Sequence, residues 1–123
     1  MIAKKICLVE DTPDLLDNLS QFLRMEGYEI WPCKNGIEAM DRMKKDTPDL
    51  IITDFLMPGI NGLELIQKLK HMNHLTAVPV ALFSAKPLTE TDLKAFDIGQ
   101  VAYIKKPSSL DEILKMVHRL LHD

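Results

Sequence analysis

The chain has 123 residues and a mass of 14.0 kDa, enough for one domain with a substantial buried core. Hydrophobic residues make up 46% and charged residues 27%, and the formal net charge is −3 with basic residues scattered, which argues for a soluble globular protein and against a nucleic-acid surface. No apolar stretch approaches the roughly 20 residues that span a bilayer, and Met1-Ile2-Ala3-Lys4-Lys5 leads straight into a strand-like run, so neither a membrane span nor a signal peptide is expected. A cytoplasmic protein is the default reading.

Strand-like and helix-like segments then alternate five times. The strand-like runs are 5–9, 28–31, 50–54, 80–83 and 102–105, short and rich in Val, Ile, Leu and aromatics. The first helix carries Leu15, Leu16, Leu19, Phe22 and Leu23 at helical spacing, with Thr12 as N-cap, Pro13 at N1 and Gly27 as its stop. The second follows Asn35-Gly36 and packs Ile37, Ala39, Met40 and Met43; the third starts near Asn61-Gly62 and packs Leu63, Leu65, Ile66 and Leu69. A fourth helix, around 89–97, offers only Leu93, Ala95 and Phe96. The fifth has Ser109 and Glu112 as a capping box and an apolar face of Leu110, Ile113, Leu114, Val117, Leu120 and Leu121.

This alternation predicts an α/β fold: a (βα)5 three-layer sandwich with a parallel five-stranded sheet and helices on both faces. Closing a barrel takes about eight such units and roughly 250 residues. The flavodoxin-like strand order 2-1-3-4-5 suits this size and makes strands 1 and 3 neighbours at the switch point, where such sheets place their ligands. The 123 residues are read as a single domain with no output domain, a reading that fits a stand-alone protein and a piece of a longer one equally.

Strand ends carry the chemistry. Strand 1 runs into Glu10-Asp11, strand 3 closes on Asp54, strand 4 runs into Ser84, and strand 5 into Lys105-Lys106-Pro107. In the predicted order, three carboxylates, a hydroxyl and an ammonium converge at one sheet edge. Clustered carboxylates repel and raise a pKa unless a cation is present. An oxygen-only set suits a hard divalent ion, Mg²⁺ with Mn²⁺ as a substitute. Asp11 and Asp54 are the candidates for direct ligation, Glu10 for holding a metal-bound water, and the Leu56 backbone carbonyl as a further ligand. Lys106 and Ser84 suit a phosphoryl oxygen, and an Asp oxygen is an established phosphoryl acceptor. A lone acid at a strand end is usually a helix cap, so it is the ordered set that points to function.

The remaining reactive side chains read as structural. Cys7 is a small core residue and Cys33 an ordinary thiol, with no CxxC or metal-ligand spacing. His71 and His74 lie in a polar stretch. His118 and His122, at i, i+4 on the last helix, read as solvated histidines with no third ligand beside them in the sequence. Met40, Met43 and Met116 read as core filler, and Trp31 as remote from Asp54.

From about Lys4 to Leu121 the chain resembles the receiver domain of two-component response regulators. The segment Asp54-Phe55-Leu56-Met57-Pro58-Gly59-Ile60-Asn61-Gly62 fits the pattern D-x-x-M-P-x-x-x-G. Glu10-Asp11 resemble the acidic pair, Ser84-Ala85 the switch hydroxyl and its small neighbour, Tyr103 the switch aromatic, and Lys106-Pro107 the lysine and its proline. The resemblance implies phosphorylation of Asp54 by a sensor histidine kinase or phosphotransfer protein in a Mg²⁺-dependent reaction, and self-catalysed loss of the phosphate. It also implies a switch in which Ser84 moves toward the phosphoryl group and Tyr103 turns inward. The face of helix 4, strand 5 and helix 5 is then rebuilt for a downstream protein target or output domain, with homodimerisation on phosphorylation an option.

Three positions depart from the common pattern. Leu56 offers no polar side chain at the site rim, Lys86 adds a cation near the phosphoryl edge, and Ser108 replaces a frequent aromatic. The Lys106–Pro107 bond is a candidate for cis. The alternative function is a constitutive, non-phosphorylated interaction module of the same fold, against which the intact residue set argues. A flavin-binding protein is disfavoured by the two anions and the proline after strand 1, and a phosphatase by the lack of a general acid and a cap.

Overall fold

The structure is a computed structural model that describes residues 2–85, 89, 91, 101–106 and 108–122. Five strands, β1 (Lys5–Val9), β2 (Glu29–Cys33), β3 (Leu50–Asp54), β4 (Val80–Ser84) and β5 (Ala102–Lys105), pair in parallel in the order β2-β1-β3-β4-β5. The helices are α1 (Pro13–Met25), α2 (Gly36–Met43), α3 (Gly62–Lys70), a short 3₁₀ turn (Asn73–Leu75) and the C-terminal helix (Leu110–His122). The fourth helix expected around 89–97 lies, apart from residues 89 and 91, outside the described residues, as do Lys86 and Pro107.

Period-two alternation along the strands builds two cores, one on each face of the sheet. Cys7, Val9, Ile51, Val80 and Leu82 face Ala39, Met43, Leu63, Leu65, Ile66 and Leu69 of α2 and α3. Ile6, Leu8, Leu50, Ile52, Ala81 and Phe83 face Leu19 and Leu23 of α1 and Ile113, Met116 and Val117 of the C-terminal helix. Strand 3 is buried at all five positions, which is why it reads as a continuous apolar run.

Several local expectations are corrected. Strand β2 runs two residues further than the apolar run suggested, through Pro32. It lies at the sheet edge, where the missing N–H of Pro32 interrupts no second ladder. Thr12 occupies the N-cap of α1 but its side chain makes no capping bond. Its backbone N–H donates to Oε2 of Glu10 at 3.1 Å. Ile37, expected in the core, is 70% exposed, and Leu110 is 44% exposed. Each stands at the start of its helix, at the rim of the apolar stripe.

Other caps form as their residue types require. Asn35 Oδ1 accepts the Glu38 N–H at 2.8 Å, and Asn61 with Glu64 makes a full capping box on α3. At the C-terminal helix, Ser109 Oγ accepts the Glu112 N–H at 3.1 Å, as its sequence predicted.

Candidate functional site: an acidic cluster with one bridging lysine

The parallel register brings the strand ends together. Val9 pairs with Thr53 across β1 and β3, so Glu10 and Asp11 emerge beside Asp54. Strand β4 then sets Phe83 beside Asp54, and β5 sets Lys105 beside Ser84, which carries Lys106 to the same edge.

One oxygen from each of Glu10, Asp11 and Asp54 lies within 4.8 Å of the others. Lys106 Nζ donates to Oε1 of Glu10 at 2.8 Å and lies 3.0 Å from Oδ1 of Asp54. The same Oδ1 accepts the Phe55 N–H at 3.1 Å. Glu10 and Asp54 are buried, while Asp11 is half-buried at the mouth. The Glu10 backbone N–H donates to the Cys33 carbonyl at 3.0 Å, which ties the end of β1 to β2.

The loop behind Asp54 is fixed by two glycines. Gly59 adopts φ +84°, a left-handed conformation that side chains disfavour. Gly62 stands where a Cβ would run into the Asp54 backbone carbonyl, and its N–H donates to the Phe55 carbonyl at 2.7 Å. The motif's final glycine is therefore needed for closeness to Asp54, not for an unusual φ.

Ser84 is buried at the end of β4, and its carbonyl accepts the Lys106 N–H at 2.8 Å. The half-buried Tyr103 turns its hydroxyl toward the same carbonyl at 3.5 Å. Leu56 is 63% exposed at the rim.

Charge decides what the cluster can hold. Three carboxylates face one ammonium among the described residues, so two negative charges are left over. Burial, together with a hydrogen bond and repulsion from Glu10, holds the Asp11 carboxyl above its ordinary pKa. Burial alone would lower the Lys106 ammonium, but its hydrogen bonds to Glu10 and Asp54 outweigh that and raise it. A hard divalent cation on oxygen ligands fits both the donor set and the charge deficit.

The sequence pattern of the response regulator receiver domain family matches residues 6–118. The chain belongs to the response regulator receiver family. Among its relatives, the transcriptional regulatory protein CrdR of Helicobacter pylori is 35% identical over 120 residues, which are 98% of this chain and 56% of CrdR. The chain spans about half the length of this and the other leading relatives it matches. The chemotaxis protein CheY4 of Vibrio cholerae has the same fold, with a TM-score of 0.90 at 24% identity over 98% of this chain and 100% of CheY4. The response regulator TrrA of Thermotoga maritima, solved in complex with Mg²⁺-BeF, has a TM-score of 0.82 at 32% identity, covering 96% of this chain and 99% of TrrA. The receiver assignment places the chain in two-component signalling, whose receivers are phosphorylated by histidine kinases or phosphotransfer proteins.

Two neighbourhoods went unread in the sequence. Cys7 and Cys33, both free and buried, bring their Sγ atoms to 4.0 Å across β1 and β2. His118 and His122 are exposed, as expected, but Tyr28 packs against both. Each pairing depends on register or tertiary packing, for which sequence spacing gives no signal.

Proposed function

We propose that Asp54 accepts a phosphoryl group from the phosphohistidine of a sensor kinase or phosphotransfer protein, with Mg²⁺ held by Asp11, Asp54 and the Leu56 carbonyl. Mn²⁺ would serve as a substitute, and Glu10 would hold the ion indirectly, through a water. The observation that carries this reading is Lys106 bridging Glu10 and Asp54 beside a cluster that keeps two negative charges uncompensated among the described residues.

The chemistry asked of the protein is positioning and charge stabilisation. With Oδ1 of Asp54 engaged by Lys106 and the Phe55 N–H, Oδ2 is the oxygen we assign to attack. A new O–P bond forms as the donor's P–N bond breaks, and the departing imidazole nitrogen keeps the bonding pair. Lys106 then shifts its hydrogen bonds toward a phosphoryl oxygen, and Ser84 supplies another through its hydroxyl. The bound cation supplies neutralisation of phosphoryl charge.

Ser84 and Tyr103 are the switch residues in this reading. Tyr103 and Lys106 both bond the Ser84 carbonyl, so a movement of Ser84 toward the phosphoryl group is felt on β5. The output surface is then the face that includes β5 and the C-terminal helix, which meets a protein target or an output domain. Hydrolysis by water in the same site resets it. The chain acts as one receiver unit in the cytoplasm; no helix of the described residues is long and apolar enough to cross a membrane.

Beryllofluoride, a phosphoryl mimic, tests the pocket without a donor. Backbone NMR should show Mg²⁺-dependent shifts at Asp54, Ser84 and Tyr103, absent in Asp54→Asn. Equal shifts without Mg²⁺, or none at Ser84 and Tyr103, would contradict the assignment.

A further inference from the structure

The end of the C-terminal helix presents a second group of metal-competent side chains. His118 and His122 stand one turn apart, both exposed, with ring centroids 5.0 Å apart and planes tilted by 40°. Tyr28, just before β2, lies 6.3 Å from each ring, and its hydroxyl is 3.3 Å from Nε2 of His122. Because the strands are parallel, this cluster lies at the start of β2, at the opposite end of the sheet from Asp54.

The ring spacing matches a shared ion. A cation about 2.0–2.1 Å from one nitrogen of each imidazole, at a roughly tetrahedral angle, sets the two centroids about 5 Å apart. Imidazole nitrogens favour borderline transition metals, whereas the oxygen-only cluster of Glu10, Asp11 and Asp54 favours a hard ion. We propose that His118 and His122 chelate a borderline divalent transition-metal ion such as Zn²⁺, Ni²⁺ or Cu²⁺, with Tyr28 as the residue that orients the His122 ring.

Tyr28 is suited to that role. In the tautomer that protonates Nε2, His122 donates to the Tyr28 hydroxyl oxygen and keeps its Nδ1 lone pair for the ion. Ligating histidines commonly donate their second ring N–H to an oxygen in this way. Burial, and then the charge of Glu26, hold the Tyr28 phenol above its usual pKa, so it stays a neutral hydrogen-bonding partner. The electrostatic setting is mixed but serviceable. The last-turn carbonyls of the helix and Glu26 favour a cation, while Arg119 on the same turn opposes one. An ion bound here would staple the last turn of the helix, favour the His122 tautomer that donates to Tyr28, and stabilise the folded chain by mass action.

The test is calorimetric titration of the full chain with Ni²⁺ in saturating Mg²⁺, which occupies the carboxylate cluster. Wild type should bind one Ni²⁺, and His118→Gln or His122→Gln should each weaken it at least tenfold by breaking the chelate. Tyr28→Phe keeps the ring packing and should weaken Ni²⁺ binding by about tenfold or more without changing Mg²⁺ binding. Asp54→Asn should bind Ni²⁺ like wild type. Electron paramagnetic resonance of the Cu²⁺ form should show coupling to two imidazole nitrogens, reduced to one in either histidine variant. Ni²⁺ binding unchanged in either histidine variant would overturn the chelate, leaving an aromatic packing cluster, and so would binding lost in Asp54→Asn. Unchanged affinity in Tyr28→Phe would overturn the role given to Tyr28.

Discussion

The Lys106 ammonium stands 3.0 Å from Oδ1 of Asp54, an oxygen that also accepts the Phe55 N–H at 3.1 Å. The carboxylate is therefore oriented before any phosphoryl group arrives, with one oxygen committed and the other left for chemistry. Lys106→Met keeps the stem and removes the charge. Phosphorylation of Asp54 by acetyl phosphate should slow about 100–1,000-fold, the scale of losing one charge-stabilising donor. Mg²⁺ affinity should be retained or increased, because a competing cation is gone. Parallel mass-spectrometric rate measurements and Mg²⁺ titrations check both halves.

The Gly62 backbone packs directly on the Asp54 carbonyl, with no room for a Cβ. Gly62→Ala should cost about 1–3 kcal/mol of stability through overpacking, despite its better helix propensity. The displaced Asp54 should also lose phosphorylation rate. Urea denaturation alongside the acetyl phosphate assay reads both effects.

Asp11 gives a pH dependence of defined sign. Its folded-state pKa is raised above the ordinary value by burial and by Glu10. A group raised in this way contributes stability that is present below the unfolded pKa and lost as pH rises through the folded one. Without Mg²⁺, wild type should therefore lose stability relative to Asp11→Asn as pH climbs through the acid range. Bound Mg²⁺ should reverse the difference, since the ion favours the carboxylate. Melting temperatures across pH, with and without Mg²⁺, decide it.

Most of the fold, and the meeting of the candidate site residues, was legible because the strands are short apolar runs and four of the five lead into a polar side chain of the candidate site. Asp54, Ser84 and Lys106 are marked by their position at strand ends, and parallel pairing alone brings them to one edge. The misread positions share a different cause. Helical periodicity locates an apolar stripe but not its rim, so Ile37 and Leu110 were assigned to a core they do not enter. Thr12 has the right chemistry for a cap, but its side chain makes no capping bond, and its backbone N–H donates to Glu10. The Cys7–Cys33 and Tyr28–His122 contacts span 26 and 94 residues, distances at which no local pattern operates.

The Leu56 side chain, exposed at the site rim, has no polar group of its own to orient water. Replacing it with Asn should shorten the lifetime of phosphorylated Asp54 several-fold, less than the roughly 10²–10⁴-fold of a positioned general acid or base, because an amide orients water without taking its proton. Phosphate release from the isolated phosphoprotein measures it, and an unchanged lifetime would show that water access is set elsewhere.

The most direct measurement is the intact mass of the chain after incubation with acetyl phosphate, with and without Mg²⁺, in wild type and Asp54→Asn. A single Mg²⁺-dependent phosphoryl adduct, absent from the variant, is the predicted result. An adduct that persists in Asp54→Asn, or forms equally well without a divalent cation, would contradict the assignment of Asp54 as the acceptor of a metal-assisted transfer.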